Sequence, residues 1–173
     1  MSRFDTALQY VLVNEGPYSN DPRDPGGATK FGIILTEYQD YLGRDLTPEE
    51  VENMDLATAQ AIYIKKFWNP IQGDAYASDA VATAIFDTAV NKGLGGCKLI
   101  IANALHHQAF QGQPWEYGPD LLLAVAGCAT SQFLPLFEGA VEAYIAARIA
   151  RFPNMEWARA GWTNRAKRLL TLQ

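Results

Sequence analysis

Residues 14–32, "NEGPYSNDPRDPGGATKFG", hold three prolines, four glycines and three carboxylates in nineteen positions. No regular helix can run through them. Each proline lacks an N–H and fixes φ, and each glycine admits backbone angles that other residues avoid. Before this stretch, Phe4, Ala7, Leu8, Val11 and Leu12 recur at helical spacing. That spacing predicts an amphipathic helix ended by Gly16 and Pro17. Glu15, four residues after Val11, is expected to extend the apolar stripe at the helix's C-terminal end. Desolvation there, together with the negative end of the helix dipole, favours the protonated carboxyl that a general acid requires. A glutamate paired with a nearby cation at a helix end fits the same position.

The loop itself reads as a stiff arm. Pro17, Pro22 and Pro25 limit where Asp21 and Asp24 can go, while Gly26 and Gly27 permit close approach of a ligand. An array of Asx turns, in which Asn20, Asp21 and Asp24 bond their own backbone, is the plainer alternative. Two other motifs fail. Prolines occupy ligand positions of an EF-hand loop and its closing glutamate is absent. "GGATKFG" lacks the spacing and the Lys–Ser/Thr pair of a phosphate loop.

Helical patterning dominates the remainder of the chain. "TKFGIIL", residues 29–35, is β-branched enough for a strand or hairpin arm. Thr47, Pro48 and Glu50 form a helix-start signature with capping box, and Asp55 opens another helix. Asp79 is expected to cap "AVATAIFDTAVNKG", ended by Gly93, and "LGGCKLIIANALHH" reads as a further helix. Pro119 starts "DLLLAVAG", and two more helical runs complete the chain. The expectation is a mainly α globule of about seven or eight helices with a small β element near residues 29–35.

Composition narrows the function. The 173 residues suffice for one domain with a real core. A net charge of −5 and no basic stripe argue against nucleic acid as partner. Cys97 and Cys128 suggest two small buried hydrophobes rather than a disulfide framework, though one bridge stays open. No run reaches membrane-spanning length, and the first residues lack the apolar core of a signal peptide, so synthesis in the cytoplasm is expected. His106 and His107 diverge on a helix and make a poor metal pair.

Along residues 81–91, Thr83, Asp87 and Asn91 fall at i, i+4 and i+8 on an otherwise apolar helix. Such a stripe needs partners or a cleft. Asn91 is a candidate to bond a sugar acetamido or hydroxyl group and Asp87 to orient the loop; a satisfied structural network fits the pattern as well. Tyr18, Tyr63, Trp68 and Trp162 are candidate sugar-stacking platforms, Tyr18 foremost because it lies in the acid loop. In a helical globule most aromatic residues are core.

"EGPYSNDPRDPGGATKFGI" resembles the signature E-G-G-Y-x-x-D-P-x-D-P-G-G-x-T-x-x-G-I-T of the family-108 glycoside hydrolases, bacterial and phage N-acetylmuramidases. "AQAIYIKKFW" and "FDTAVNKG" are similar to two further family motifs, and "GPDLLLAV" and "GWTNRAKRL" to the peptidoglycan-binding region that comes after them. The resemblance implies a single lysozyme-like domain over residues 1–173, with 1–92 as the catalytic part and 93–173 as the peptidoglycan-binding-like helical part. It implies cleavage of the β-1,4 bond between N-acetylmuramic acid and N-acetylglucosamine, with Glu15 as the acid and no metal or organic cofactor. Phage-type lysozymes add a looser likeness, carrying Glu, then Asp after eight residues, then Thr after five. Here eight residues separate Glu15 from Asp24 and four separate Asp24 from Thr29. Asp24 and Thr29 are therefore candidate partners, with Asp21 as rival to Asp24. By the same likeness, inversion is expected. Pro17 and Ile34 depart from the family's Gly and Thr, which bears on substrate preference. A monomer acting on glycan strands, reached by holin- or secretion-system export, completes the expectation. A lytic transglycosylase and a non-catalytic peptidoglycan-binding accessory protein are the alternatives.

Overall fold

The computed structural model describes residues 1–13, 15, 18–20, 27–105 and 117–172. The chain divides into two compact units, Met1–Asn69 and Pro70–Gln173. Among the described residues there are eight α-helices and one two-stranded antiparallel sheet, so the mainly α expectation holds, as does the β element near residues 29–35.

In the first unit, α1 (Arg3–Leu12) starts from a capping box: Ser2 Oγ accepts from the Asp5 N–H, and Asp5 Oδ2 accepts from the Ser2 N–H at 2.8 Å. It buries Phe4, Ala7, Leu8 and Val11, the stripe read from the sequence. Strands β1 (Thr29–Lys30) and β2 (Ile33–Ile34) pair Lys30 with Ile33, leaving a two-residue turn, Phe31–Gly32. Ser19 extends this hairpin by an antiparallel bridge to Thr29, with N···O distances of 2.9 and 2.8 Å.

Helix α2 (Leu35–Leu42) begins directly at the end of β2. It buries no residue fully, although Leu35, Tyr38 and Leu42 fall on one face. Gly43 ends it with φ +68. Helix α3 (Pro48–Glu52) has the expected capping box between Thr47 and Glu50, and α4 (Leu56–Tyr63) starts where Asp55 accepts from the Thr58 N–H at 2.7 Å. Beyond Tyr63 the coil widens to a π-helical turn, Ile64–Trp68, closed by Asn69 N–H bonding Ile64 O. Phe4 meets Trp68 edge to face at 5.4 Å.

In the second unit, α5 (Asp79–Ala104) breaks at Gly93, whose φ of +74 and ψ of 162 lie outside the helical region. The two expected helices are therefore real and meet at that glycine. Ser78, not Asp79, is the cap, its hydroxyl accepting from Val81 N–H. Every residue from Ala80 to Ala89 is buried, so this half of α5 is buried on all sides. Helices α6 (Pro119–Ala126), α7 (Thr130–Arg151) and α8 (Arg159–Arg168) come next, with α7 packed against both α5 and α8. Cys97 is buried, Cys128 partly so, and both thiols are free. Among the described residues no single helix is long and apolar enough to cross a membrane.

Candidate functional site

Helix α1 stops at Leu12, so Glu15 lies beyond it rather than on the helical stripe. The cause is local. Pro17 has no N–H to give to the Val13 carbonyl and disfavours helical angles at the residue before it. Glu15 is instead tied back by its own N–H, which bonds the Leu12 carbonyl at 3.2 Å, and its side chain is half-buried.

The Glu15 side chain lies directly over the hairpin turn. A β-carbon on Gly32 would stand 2.7 Å from Glu15 Oε2 and 2.8 Å from its Cδ and Cγ. Only glycine leaves room for the carboxyl there. Gly32 also has φ +75, which glycine adopts without cost. Phe31 precedes it with φ +52, so both turn residues have the positive φ of a two-residue type I′ hairpin. For a bulky residue that angle is strained, by about 1–3 kcal/mol. The turn is held by Tyr63, whose hydroxyl donates to the Phe31 carbonyl at 2.7 Å. Tyr63 is 1% exposed, and Trp68 is 2% exposed with its ring against Phe4. A stacked sugar needs an open ring face, which neither offers in this structure.

The other loop residues fall around this hairpin. Thr29 Oγ1 donates to the Gly27 carbonyl at 3.1 Å, which leaves its oxygen able to accept from a water. Leu35 N–H bonds the Ala28 carbonyl, closing the base of the hairpin. Tyr18 is half-exposed, and its hydroxyl donates to the Pro48 carbonyl at 3.3 Å. Asp21, Asp24 and Pro17 lie outside the described residues, as do His106 and His107.

The polar stripe on α5 separates into two kinds of residue. Thr83 and Asp87 are buried, whereas Asn91 is half-exposed and lines a cavity. Arg165 of α8 meets Asp87 side on: its Nε lies 3.1 Å from both carboxylate oxygens and its Nη2 lies 2.9 Å from Oδ1. Both side chains are shielded, at 13% and 3% exposure, so this pair is a structural pin between α5 and α8. The cavity measures about 160 Å³ and is lined by Asn91, Lys92, Tyr144, Arg148 and Trp162. Lys92 Nζ stands 4.5 Å from the centre of the Trp162 ring.

Thus "FDTAVNKG" and "GWTNRAKRL", far apart in the sequence, meet in the second unit through Asp87–Arg165 and Lys92–Trp162. Sequence reasoning missed Arg165, Lys92, Tyr144 and Arg148. The one available signal was that a carboxylate on an apolar helix demands a cation from somewhere.

No curated protein sequence matches the chain. The solved structure of Brucella abortus SagA is similar to it with a TM-score of 0.79 and 26% sequence identity, covering 97% of this chain and 91% of that one. Residues 8–93, which include Glu15, the hairpin and the helix of Asp87 and Asn91, match the family model Glycosyl hydrolase 108. The chain belongs to the glycosyl hydrolase 108 family.

Proposed function

We propose that this protein hydrolyses the glycan strands of peptidoglycan, at the β-1,4 bond between N-acetylmuramic acid and N-acetylglucosamine, with Glu15 as general acid. The observation that carries the proposal is the placement of the Glu15 carboxyl: half-buried, just past a helix end, over a glycine that no other residue can replace without displacing it. Glycoside cleavage needs a proton on the leaving oxygen and a second group for the oxocarbenium-like centre or its attacking water. Glu15 supplies the first. Asp24, with Asp21 as the rival, supplies the second from the same loop, and Thr29 accepts a hydrogen bond from the water. Tyr18 contacts the sugar. The protein works as a monomer, without metal or cofactor, in the periplasm or wall after holin- or secretion-system export.

The test is the mass of the products from purified sacculi. Hydrolysis gives reducing muramic acid ends that carry one added water. Products lighter by one water would make the protein a lytic transglycosylase, and binding without cleavage would make it an accessory protein.

A further inference from the structure

The cavity on the second unit has a charge pattern that the hydrolysis of a glycosidic bond does not use. Its lining contains two cations, Lys92 and Arg148, and no carboxylate. Among the described residues neither cation has a carboxylate in salt-bridge contact. Asp87 is close enough to act on Lys92, but both of its oxygens are engaged by Arg165. Of the charged groups that act on Lys92, two are cations, Arg165 and Arg148, and one is a carboxylate, Asp87, in a chain whose net charge is −5. The Lys92 ammonium is pushed down to a pKa of about 8, first by burial, then by Arg165, with Asp87 opposing and Arg148 adding to the shift. A second anion would relieve this imbalance.

The size and walls of the cavity say which anion. About 160 Å³ leaves room for a carboxylate and the carbon that bears it. Arg148 offers a planar fork, Asn91 an amide that donates in a fixed direction, and Lys92 a point charge steadied over the Trp162 face. Tyr144 and Trp162 give an apolar wall beside the charged end. Gly96 allows Tyr144 in: a β-carbon there would stand 3.0 Å from the Tyr144 hydroxyl oxygen.

We propose that the cavity formed by Asn91, Lys92, Tyr144, Arg148 and Trp162 binds the free carboxylate of a peptide. The carrier, though not the site, rests on the wall-hydrolase reading: it is a stem peptide of the polymer whose glycan the enzyme cuts. The groups that face Lys92 are Asp87 on its own helix, Arg148 and the Tyr144 hydroxyl from α7, and Arg165 from α8. Lys92 loses its charge as pH rises through about 8, so binding weakens as pH rises through that value.

The test titrates the full chain, followed by calorimetry, with four probes: N-acetyl-D-alanine, a disaccharide–tetrapeptide with free carboxylates, the same compound with its carboxylates amidated, and inorganic phosphate. The two free carboxylates bind, and amidation weakens the tetrapeptide at least about tenfold. Arg148→Gln and Lys92→Gln each weaken both ligands by about the same factor, while the exposed-site control Lys167→Gln does not. Arg148 is exposed on α7, so its variant remains a fair test if Lys92→Gln is unstable. No binding by either free carboxylate, no effect of amidation, or phosphate binding as tightly as the tetrapeptide would overturn the carboxylate site. N-acetyl-D-alanine binding as tightly as the tetrapeptide would keep the site and overturn its wall carrier. Glycan cleavage is read separately from sacculus products, so either reading can fail alone.

Discussion

Glu15 in the first unit is placed by backbone. The Leu12 carbonyl holds its N–H, and the bare Cα of Gly32 gives its carboxyl somewhere to lie. Asp87 in the second unit is placed by a side chain. It sits on a helix buried all round, and Arg165, 78 residues further on, grips both of its oxygens. The two acids differ in consequence. The gripped one is shielded at 3% exposure and serves the fold. Glu15, seated over the bare Cα of Gly32, stays half-exposed.

This contrast can be broken at several points. Glu15→Gln keeps the shape and removes the proton, so sacculus clearing should fall by about 10²–10⁴-fold with the melting temperature little changed. Asp87→Ala should do the reverse. It leaves Arg165 buried beside Lys92 without its partner, and denaturant melts should show a loss of about 3–5 kcal/mol. Gly32→Ala should cost about 1–3 kcal/mol of stability, from its φ and from the displaced carboxyl together. Tyr63→Phe, which frees the Phe31 carbonyl, should cost about 1 kcal/mol in the same melts. A pH dependence runs through Lys92. Its folded pKa, about 8, lies below its unfolded value near 10.5, so the unfolded chain binds more protons between the two. Its contribution should therefore raise stability as pH rises from about 8 towards 10.5, and Lys92→Met should flatten that slope.

The two regions also differ in how far they could be read in advance. The capping box of α3 and the Asp55 cap of α4 were legible because cap chemistry spans three residues. The hairpin was legible as a β-branched run around Gly32, and the break at Gly93 as a glycine between two helical patterns. Helix α2 was not, because it buries no residue fully and starts after Ile34, which has no capping side chain. Helix α1 ends at Leu12, four residues before the Gly16–Pro17 stop signal begins. Glu15 could be singled out from its place after an apolar stripe and from its motif. The role of Gly32 could not, since it depends on a contact across seventeen residues. The cationic cavity was beyond reach for the same reason: α5, α7 and α8 each bring one or two of its residues, and no local pattern links them. Tyr63 and Trp68 show the limit from the other side, for an aromatic in a motif can serve as readily by packing as by facing a ligand.

The most direct test compares two glycines. Gly32 and Gly43 have nearly the same backbone, φ +75 and +68, but a β-carbon at Gly43 meets nothing within 4 Å, whereas at Gly32 it meets the Glu15 carboxyl. Alanine at either site carries the same conformational cost. The initial rate of sacculus clearing by folded Gly43→Ala should stay close to wild type, while that of folded Gly32→Ala should fall at least about tenfold, as expected when a catalytic group is misplaced by an ångström. Equal clearing by the two variants would contradict the claim that Glu15 works from its seat over Gly32.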